Sequence, residues 1–417
     1  MQLKKPIGAS LAEEAKWEVD STLLFYGEDN DRVMDASLMT SVRRVLDEDR
    51  SINVSLTVDA LTGATPSGAV PANAVQTFTS PSGRASYDIA AGDTPLDDNF
   101  LDTRVALTAG WKQSLGENMR WSAGLSASHE YDYLHLGAEG RLEWDFNLKN
   151  TTAFVGAAYG KEDLDPVGGV PIPLSPMQAA DSDAEGDVHG GGTSESKDVV
   201  DFLVGVTQVL SRRSLLEVSY SYGQSDGYLN DPYKILSVVD PATGAPVAGP
   251  VGSGLNLYVH ESRPGSRTKQ SLFAEWRYAF DRDSFALSAR YMTDDWGIDS
   301  QTVDARYRWN INERSYLEPH LRWYTQSAAD FYRTVLFNGD PLPQHASADY
   351  RLADSDAYTA GFKYGRRTGR GEFSVRLEYY HQQGGPSPGA AVGDLAGFEL
   401  VPPLSAVIAQ FGYKFGF

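Results

Sequence analysis

The sequence predicts an all-β fold, a transmembrane outer-membrane β-barrel of about 16 antiparallel strands with short periplasmic turns and long extracellular loops. Three observations lead there. The chain ends on residues 404–417, where Val407, Ala409, Phe411, Tyr413, Phe415 and Phe417 alternate with Gln410, Gly412, Lys414 and Gly416. A strand sends successive side chains to opposite faces, so this one has an apolar, aromatic face and a small or polar one. Fifteen earlier segments alternate in the same way over roughly ten residues, the length a tilted strand needs to cross a bilayer. The connections between them alternate short and long, the asymmetry of a barrel whose two ends face different compartments.

In chain order, residues 16–26 place Trp17, Val19, Leu23 and Phe25 on one face, and residues 32–43 follow more weakly with Met34, Ala36, Leu38 and Val42. In 51–61, Ile52, Val54, Leu56 and Val58 oppose Asn53, Ser55, Thr57 and Asp59. Val105, Leu107, Ala109 and Trp111 mark 102–113, and Trp121, Ala123, Leu125 and Ala127 mark 120–131. Residues 133–146 set Leu134, Leu136, Leu142, Trp144 and Phe146 against Glu139, Arg141, Glu143 and Asp145. Residues 151–159 show the weakest facing, whereas 199–210 and 215–223 are clean, led by Phe202 and Val204, then by Val218 and Tyr220. The next four segments are 268–280, 284–292, 301–310 and 315–325, carrying Leu272 and Trp276, Phe285 and Leu287, Val303 and Tyr307, and Leu321 and Trp323. Residues 357–366 and 372–381 complete the set before the closing strand.

Tight turns fall at 47–49, 115–118, 148–150, 211–213, 281–283, 311–313 and 367–369. The intervening connections include all the long ones, about 62–101, 160–198, 224–267, 326–356 and 382–403, read as surface loops. An even strand number puts both termini in the periplasm, residues 1–15 as a short leading segment and 16–417 as one barrel. Trp111, Trp144, Trp309 and Phe280 fall at one end of the strands and Tyr222, Tyr291, Trp323 and Tyr379 at the other, two girdles for two membrane interfaces.

Composition agrees. Lys and Arg total 36 against 56 Asp and Glu, a net charge of −20 in 417 residues, which argues against a nucleic-acid partner. There is no cysteine, hence no disulfide framework, thiolate zinc site or attached c-type haem. No run of 18 apolar residues occurs, a test that barrels evade because only alternate residues are apolar. Met1-Gln2-Leu3-Lys4-Lys5 resembles the basic start of an export signal with no apolar core behind it.

Candidate chemistry is sparse. Asp181, Asp183, Glu185 and Asp187 alternate around Gly186 like the first half of a calcium loop, but Gly192 stands where the twelfth-place acid would. Ca2+ is therefore a candidate ligand, with a disordered acidic loop as the competing expectation. Residues 28–31, and Asp93, Asp97, Asp98 and Asp102, are weaker acidic loops of the same kind. The polar face of neighbouring strands collects Glu275, Arg277, Arg290, Asp304, Arg306, Arg308, Glu318, Arg322, Arg376 and Glu378. Ionised groups at mid-strand need a polar lumen, and such strips either set up a transverse field or simply form a hydrated, ion-paired wall. None of the seven histidines has metal-ligand spacing; His129 beside Ser128, or His381, is the only rim position that suggests a hydrolase, and no pattern supports an enzyme.

The stretches Trp17-Glu18-Val19-Asp20, Leu24-Phe25-Tyr26, Leu229-Asn230-Asp231-Pro232-Tyr233-Lys234 and 411–417 resemble the DUF3570 family of Gram-negative outer-membrane barrels, along nearly the whole chain. The aromatic ending at Phe411, Tyr413, Phe415 and Phe417 also resembles the signal read by the barrel-assembly machinery. The family resemblance implies no catalytic residue. It implies association with a small lipoprotein and with extracytoplasmic redox or metal work. The expected surroundings are outer-membrane lipid and lipopolysaccharide. The expected function is a channel or conduit, with a sheath or anchor for a lipoprotein or redox partner as the alternative.

Overall fold

Alternating apolar and polar residues build a wall of hydrogen-bonded strands in the computed structural model, which describes residues 17–30, 32–183, 185–385 and 392–417. The chain opens with β1 (Trp17–Glu28), β2 (Met34–Val45) and β3 (Arg50–Pro66), then a loop hairpin, β4 (Gln76–Thr79) and β5 (Ser86–Ile89). The wall resumes with β6 (Leu96–Leu115), β7 (Met119–His129), β8 (Tyr133–Phe146), β9 (Thr151–Leu164), β10 (Glu195–Ser211) and β11 (Ser214–Gly227). Two loop strands follow, β12 (Ile235–Val239) and β13 (Tyr258–His260). Next come β14 (Ser266–Ala279), β15 (Ser284–Asp294), β16 (Asp299–Asn310) and β17 (Ser315–Gln326), then the loop strand β18 (Val335–Phe337). The wall ends with β19 (Ser355–Arg367), β20 (Gly371–Gly384) and β21 (Leu404–Gly416). The wall strands pair antiparallel in sequence order and β21 pairs with β1, closing a 16-strand barrel without a free edge. Residues 1–15, expected as a leading segment, lie outside the described residues.

The alternation sorts lipid from lumen. Leu125 and Leu321, 67% and 63% exposed, belong to an outer belt with Leu107, Phe202, Leu272 and Leu377. A large apolar side chain left in water forfeits about 1.5–3 kcal/mol, so a continuous belt of them needs a hydrocarbon surround. Trp309, Phe280, Tyr291 and Tyr379 are exposed at the strand ends where the girdles were expected. The seam is closed by reciprocal backbone bonds of 3.0 Å between Trp17 and Phe417. Over it Tyr413, Phe415, Phe417 and Trp17 stack in a column, with ring centres 5.5, 6.2 and 6.3 Å apart.

Several wall strands run further at the loop end than their periodicity suggests. β3 reaches Pro66, β6 begins at Leu96, β9 reaches Leu164, and β10 begins at Glu195. Above the apolar belt both faces are wet, so pairing continues where polarity contrast has ended. Asp102, expected in an acidic loop, accordingly sits on the β6 wall.

The long loops fold together at one end of the barrel. Hydrophobic cores lie at the loop end of the barrel, as a lid. β12 is buried at all five positions, pairing antiparallel with β13 and parallel with β18 from another loop. Phe78 of β4 stacks on Tyr258 of β13 at 4.6 Å, and the Tyr258 hydroxyl donates to Gln76 at 2.9 Å. Met177 from the β9–β10 loop joins that cluster, and Leu395 from the β20–β21 loop packs with Val70, Val239 and Val335. All five long loops thus share cores.

Candidate functional site

The lumen wall and the lid above it form the candidate site. On the lumen face of β16–β20 the structure gathers part of the predicted charged strip into a ladder. Arg306 pairs with Asp304 at 3.2 Å, and Arg376 with Glu378 at 2.7 Å. His320 joins the two carboxylates, 2.7 Å from Asp304 and 2.8 Å from Glu378. Glu378 reaches His320 across β19 because Gly361 lies between them; a Cβ there would meet the Glu378 side chain at 2.6 Å. Sequence reasoning placed His320 on the polar face but missed it as the joint of the ladder. The signal was a glycine on the lumen face of the intervening strand.

Among the described residues, the rest of the strip makes no ion pair with that ladder, although Arg322 stands opposite Asp304 in the β16–β17 register. Glu275 pairs with Arg277 on β14. The Arg308 guanidinium lies 3.5 Å from the Tyr316 ring centre, and Glu318 faces Lys363 in register. Arg290 and Arg322 are exposed on the lumen face. The other side of the barrel differs. There Gly110, Gly124, Gly137 and Gly160 line the lumen on adjacent strands, and recesses of about 420 and 450 Å³ open with Glu139 and Asp201 on their walls. β8, which carries Glu139, and β19, which carries Lys363, lie eight places apart in the ring, on opposite sides. The recess that holds Glu139 thus lies across the ring from the mixed-charge strip that holds Lys363.

Gly365 of β19 does for Tyr316 what Gly361 does for Glu378. The Tyr316 ring lies over it and its hydroxyl donates to Glu372 of β20 at 2.8 Å; a Cβ on residue 365 would come within 2.1 Å of the ring. Gly365→Ala should therefore expel the ring and cost about 1–3 kcal/mol. A urea midpoint for the purified barrel equal to that of wild type would contradict this packing.

The lid is bolted across the mouth by buried charge. Lys234, 3% exposed, donates to the Pro66 carbonyl at 2.6 Å. Arg263 bridges Glu261 at 2.6 Å and Asp349 at 2.8 Å, and Arg351 bridges Asp349 at 2.6 Å and Asp231 at 2.5 Å. Burial pushes Asp231 up, but Lys234, Arg351 and Arg263 outweigh it and hold the carboxyl below its ordinary value. Asp349 is lowered likewise, against its burial, by Arg351, Lys234 and Arg263. The neighbouring Tyr233 hydroxyl donates to Asp132 between β7 and β8. At the far wall, Gln326 of β17 donates to the carbonyls of Arg351 and Ala353 at 3.0 and 2.6 Å. β7 and β17 are eight places apart in the ring, so Asp132, Tyr233, Asp231, Arg351 and Gln326 mark a connection across the diameter. The motif Leu229–Lys234 is the centre of this bridge.

Two buried neighbours in the lid titrate with opposite signs. Burial pushes Glu261 up to about 7, from 4.5, and pushes His260 down to about 4, from 6.5. Glu261 therefore contributes stability that is full below pH 4.5 and lost as pH rises through about 7, whereas that of His260 is full above 6.5 and lost as pH falls through about 4. Glu261→Gln removes the first slope. Relative to wild type, the variant should lose amide-exchange protection in the lid on going from pH 6.5 to 4.5; equal losses in both proteins would contradict this balance.

The acidic motif has a local role in the structure. Asp187 accepts from the backbone N–H of His189, Gly190 and Gly192 at 3.1, 2.6 and 2.7 Å, and Asp181 accepts from Asp183 at 3.0 Å. Glu185 is exposed, and Ala184 lies outside the described residues. No group of three or more candidate ligands converges among the described residues. Asp31, from the weaker acidic loops, is likewise outside them. Of the rim histidines, His129 and Ser128 are sequence neighbours on one strand and so point to opposite faces. His381 contacts Ser405 at 3.0 Å.

A family model described as a protein of unknown function, DUF3570, matches residues 4–415. No curated protein matches the sequence. Among solved structures, the Q482A mutant of the ferric enterobactin receptor PfeA from Pseudomonas aeruginosa, with enterobactin, aligns at 10% identity and TM-score 0.42, over 88% of this chain and 54% of the receptor. This chain thus spans about half the length of that receptor. A bacterial polysaccharide outer membrane secretin aligns at 10% identity and TM-score 0.45, over 96% of this chain and 98% of the secretin. The CymD monoaromatic hydrocarbon channel aligns at 8% identity and TM-score 0.39, over 97% of this chain and 89% of CymD.

Proposed function

This chain belongs to the DUF3570 family, and from that premise we propose that it is a conduit across the outer membrane, covered at its extracellular end by a folded lid. The observation that carries the reading is a charged lining on both sides of the lumen, Glu139 of β8 in the recess and, eight places round the ring, Lys363 of β19 beside the ladder of Asp304, His320 and Glu378. Charged groups lining a polar lumen orient dipolar and charged solutes. The lid end is the extracellular one in this reading, because long loops face outward in such barrels, and both termini are then periplasmic. Phe411, Tyr413, Phe415 and Phe417 serve as the strand delivered to the barrel-assembly machinery. The outer belt meets membrane lipid, with lipopolysaccharide on the outer leaflet.

Purified, refolded barrel in planar bilayers tests this. Discrete ohmic steps with a non-zero reversal potential in a salt gradient are expected. A folded barrel that never conducts, with the lid intact or destabilised, would rule out the conduit.

A second reading has its own support. The bridge over the mouth is also what a sheath needs if it admits a small lipoprotein or redox protein from the periplasm. Affinity purification from native membranes then yields a stoichiometric small subunit; recovery of the barrel alone counts against it.

A further inference from the structure

The lid brings together two histidines that are 71 positions apart in the chain and that the conduit does not use. His189 lies in the β9–β10 loop and His260 at the end of β13. Their ring centres are 5.1 Å apart, with the planes at 69°. Both Nδ1 atoms are buried and have no hydrogen-bond partner, and His260 is only 6% exposed. Such an atom is costly to leave unsatisfied, so two in one place call for an explanation.

The surroundings define the state of one ring. His189 Nε2 lies 3.2 Å from the Pro81 carbonyl, which can only accept, so that nitrogen carries the proton and Nδ1 keeps a free lone pair. A metal-binding imidazole is oriented in this way, its far N–H given to a backbone carbonyl. The His189 backbone is held by Asp187 at 3.1 Å. That of His260 is pinned on both sides, its N–H to Ser175 at 3.0 Å and its carbonyl by Leu174 at 3.1 Å. Burial holds both rings below their ordinary pKa, so both are neutral near pH 7.

The spacing fits an ion. Two imidazole nitrogens at about 2.0–2.1 Å from one tetrahedral ion place the ring centres about 5 Å apart, whereas a linear arrangement needs roughly 6 Å. We propose that His189 and His260 form a binding site for a divalent transition-metal ion of the Zn2+ class, through Nδ1 of each ring. The ion staples the β9–β10 loop to the β11–β14 loop. Two neutral nitrogens without a carboxylate select against Ca2+ and Mg2+, which prefer oxygen. The Asp187 turn acts as the positioning element for His189 rather than as a ligand.

The test uses the full chain, folded in detergent and free of any histidine tag, titrated calorimetrically with Zn2+ and separately with Ca2+. One Zn2+ per barrel is expected, with affinity falling at least tenfold in His189→Ala and in His260→Ala, and the stoichiometric site absent from the double variant. Co2+ added to the wild type should give the visible bands of a tetrahedral ion, lost in the same variants. Folding is checked by heat-modifiable gel mobility; should His260→Ala misfold, His189→Gln, at the more accessible ring, carries the comparison. Zn2+ binding unchanged in the folded His189 variant, no stoichiometric Zn2+ in the wild type, or a preference for Ca2+ would overturn the proposal.

Discussion

Arg263→Met should open the lid while leaving the barrel closed. Arg263 is buried between Glu261 and Asp349, whose side chains are 2% and 1% exposed. Removing one partner of such a network leaves the others under-satisfied, at a cost of about 1–3 kcal/mol, since Glu261, already pushed up to about 7, takes up a proton. Asp349 retains Arg351, so the damage concentrates on Glu261, which keeps only the Ser347 hydroxyl and the Asp231 N–H. The barrel wall has its own unbroken ring of backbone hydrogen bonds and does not depend on this cation. Limited proteolysis should therefore cut within residues 228–265 while gel mobility still reports a folded barrel. In the conduit reading, single-channel conductance should rise as well. Arg213→Met, which removes an exposed pair with Asp281, serves as the control and should change neither measurement. A lid in Arg263→Met as protease-resistant as wild type would show that the loop cores hold without the ionic bridge.

Charge reversal in the lumen should move ion selectivity. Arg290 and Arg322 are exposed on β15 and β17, and neither forms an ion pair with the ladder of Asp304, His320 and Glu378, although Arg322 stands opposite Asp304 in register. Arg290→Glu with Arg322→Glu replaces two positive charges by two negative ones in the permeation path. Cations then gain and anions lose. Under a tenfold salt gradient the reversal potential should shift toward the cation limit by a few tens of millivolts, of a ceiling of about 59 mV for a monovalent ion. The acidic recess supplies the mirror experiment, since Glu139→Gln with Asp201→Asn should shift it toward anions. Selectivity indifferent to all four changes would reduce the lumen charges to wall structure.

The closing strand illustrates what a local pattern can carry. Its aromatic face, its pairing with β1 and the position of Phe417 at the seam all follow from alternation and an even strand number. The ladder was less legible. Whether Glu378 meets His320 depends on Gly361 of a third strand, and that is a property of register between neighbours.

By itself the sequence determined the barrel wall, its membrane face and the order of turns and loops. Each is written in a period of two over about ten residues, and lipid on one side keeps that period sharp. Tertiary structure alone decided the lid. Ile235–Val239 shows no alternation because it is buried on both faces, and one of its two partner strands comes from another loop. The bridge through Asp231, Arg263 and Arg351 and the pairing of His189 with His260 likewise join residues from distant parts of the chain. Such contacts leave no local period, because they are fixed by how separate loops pack against one another.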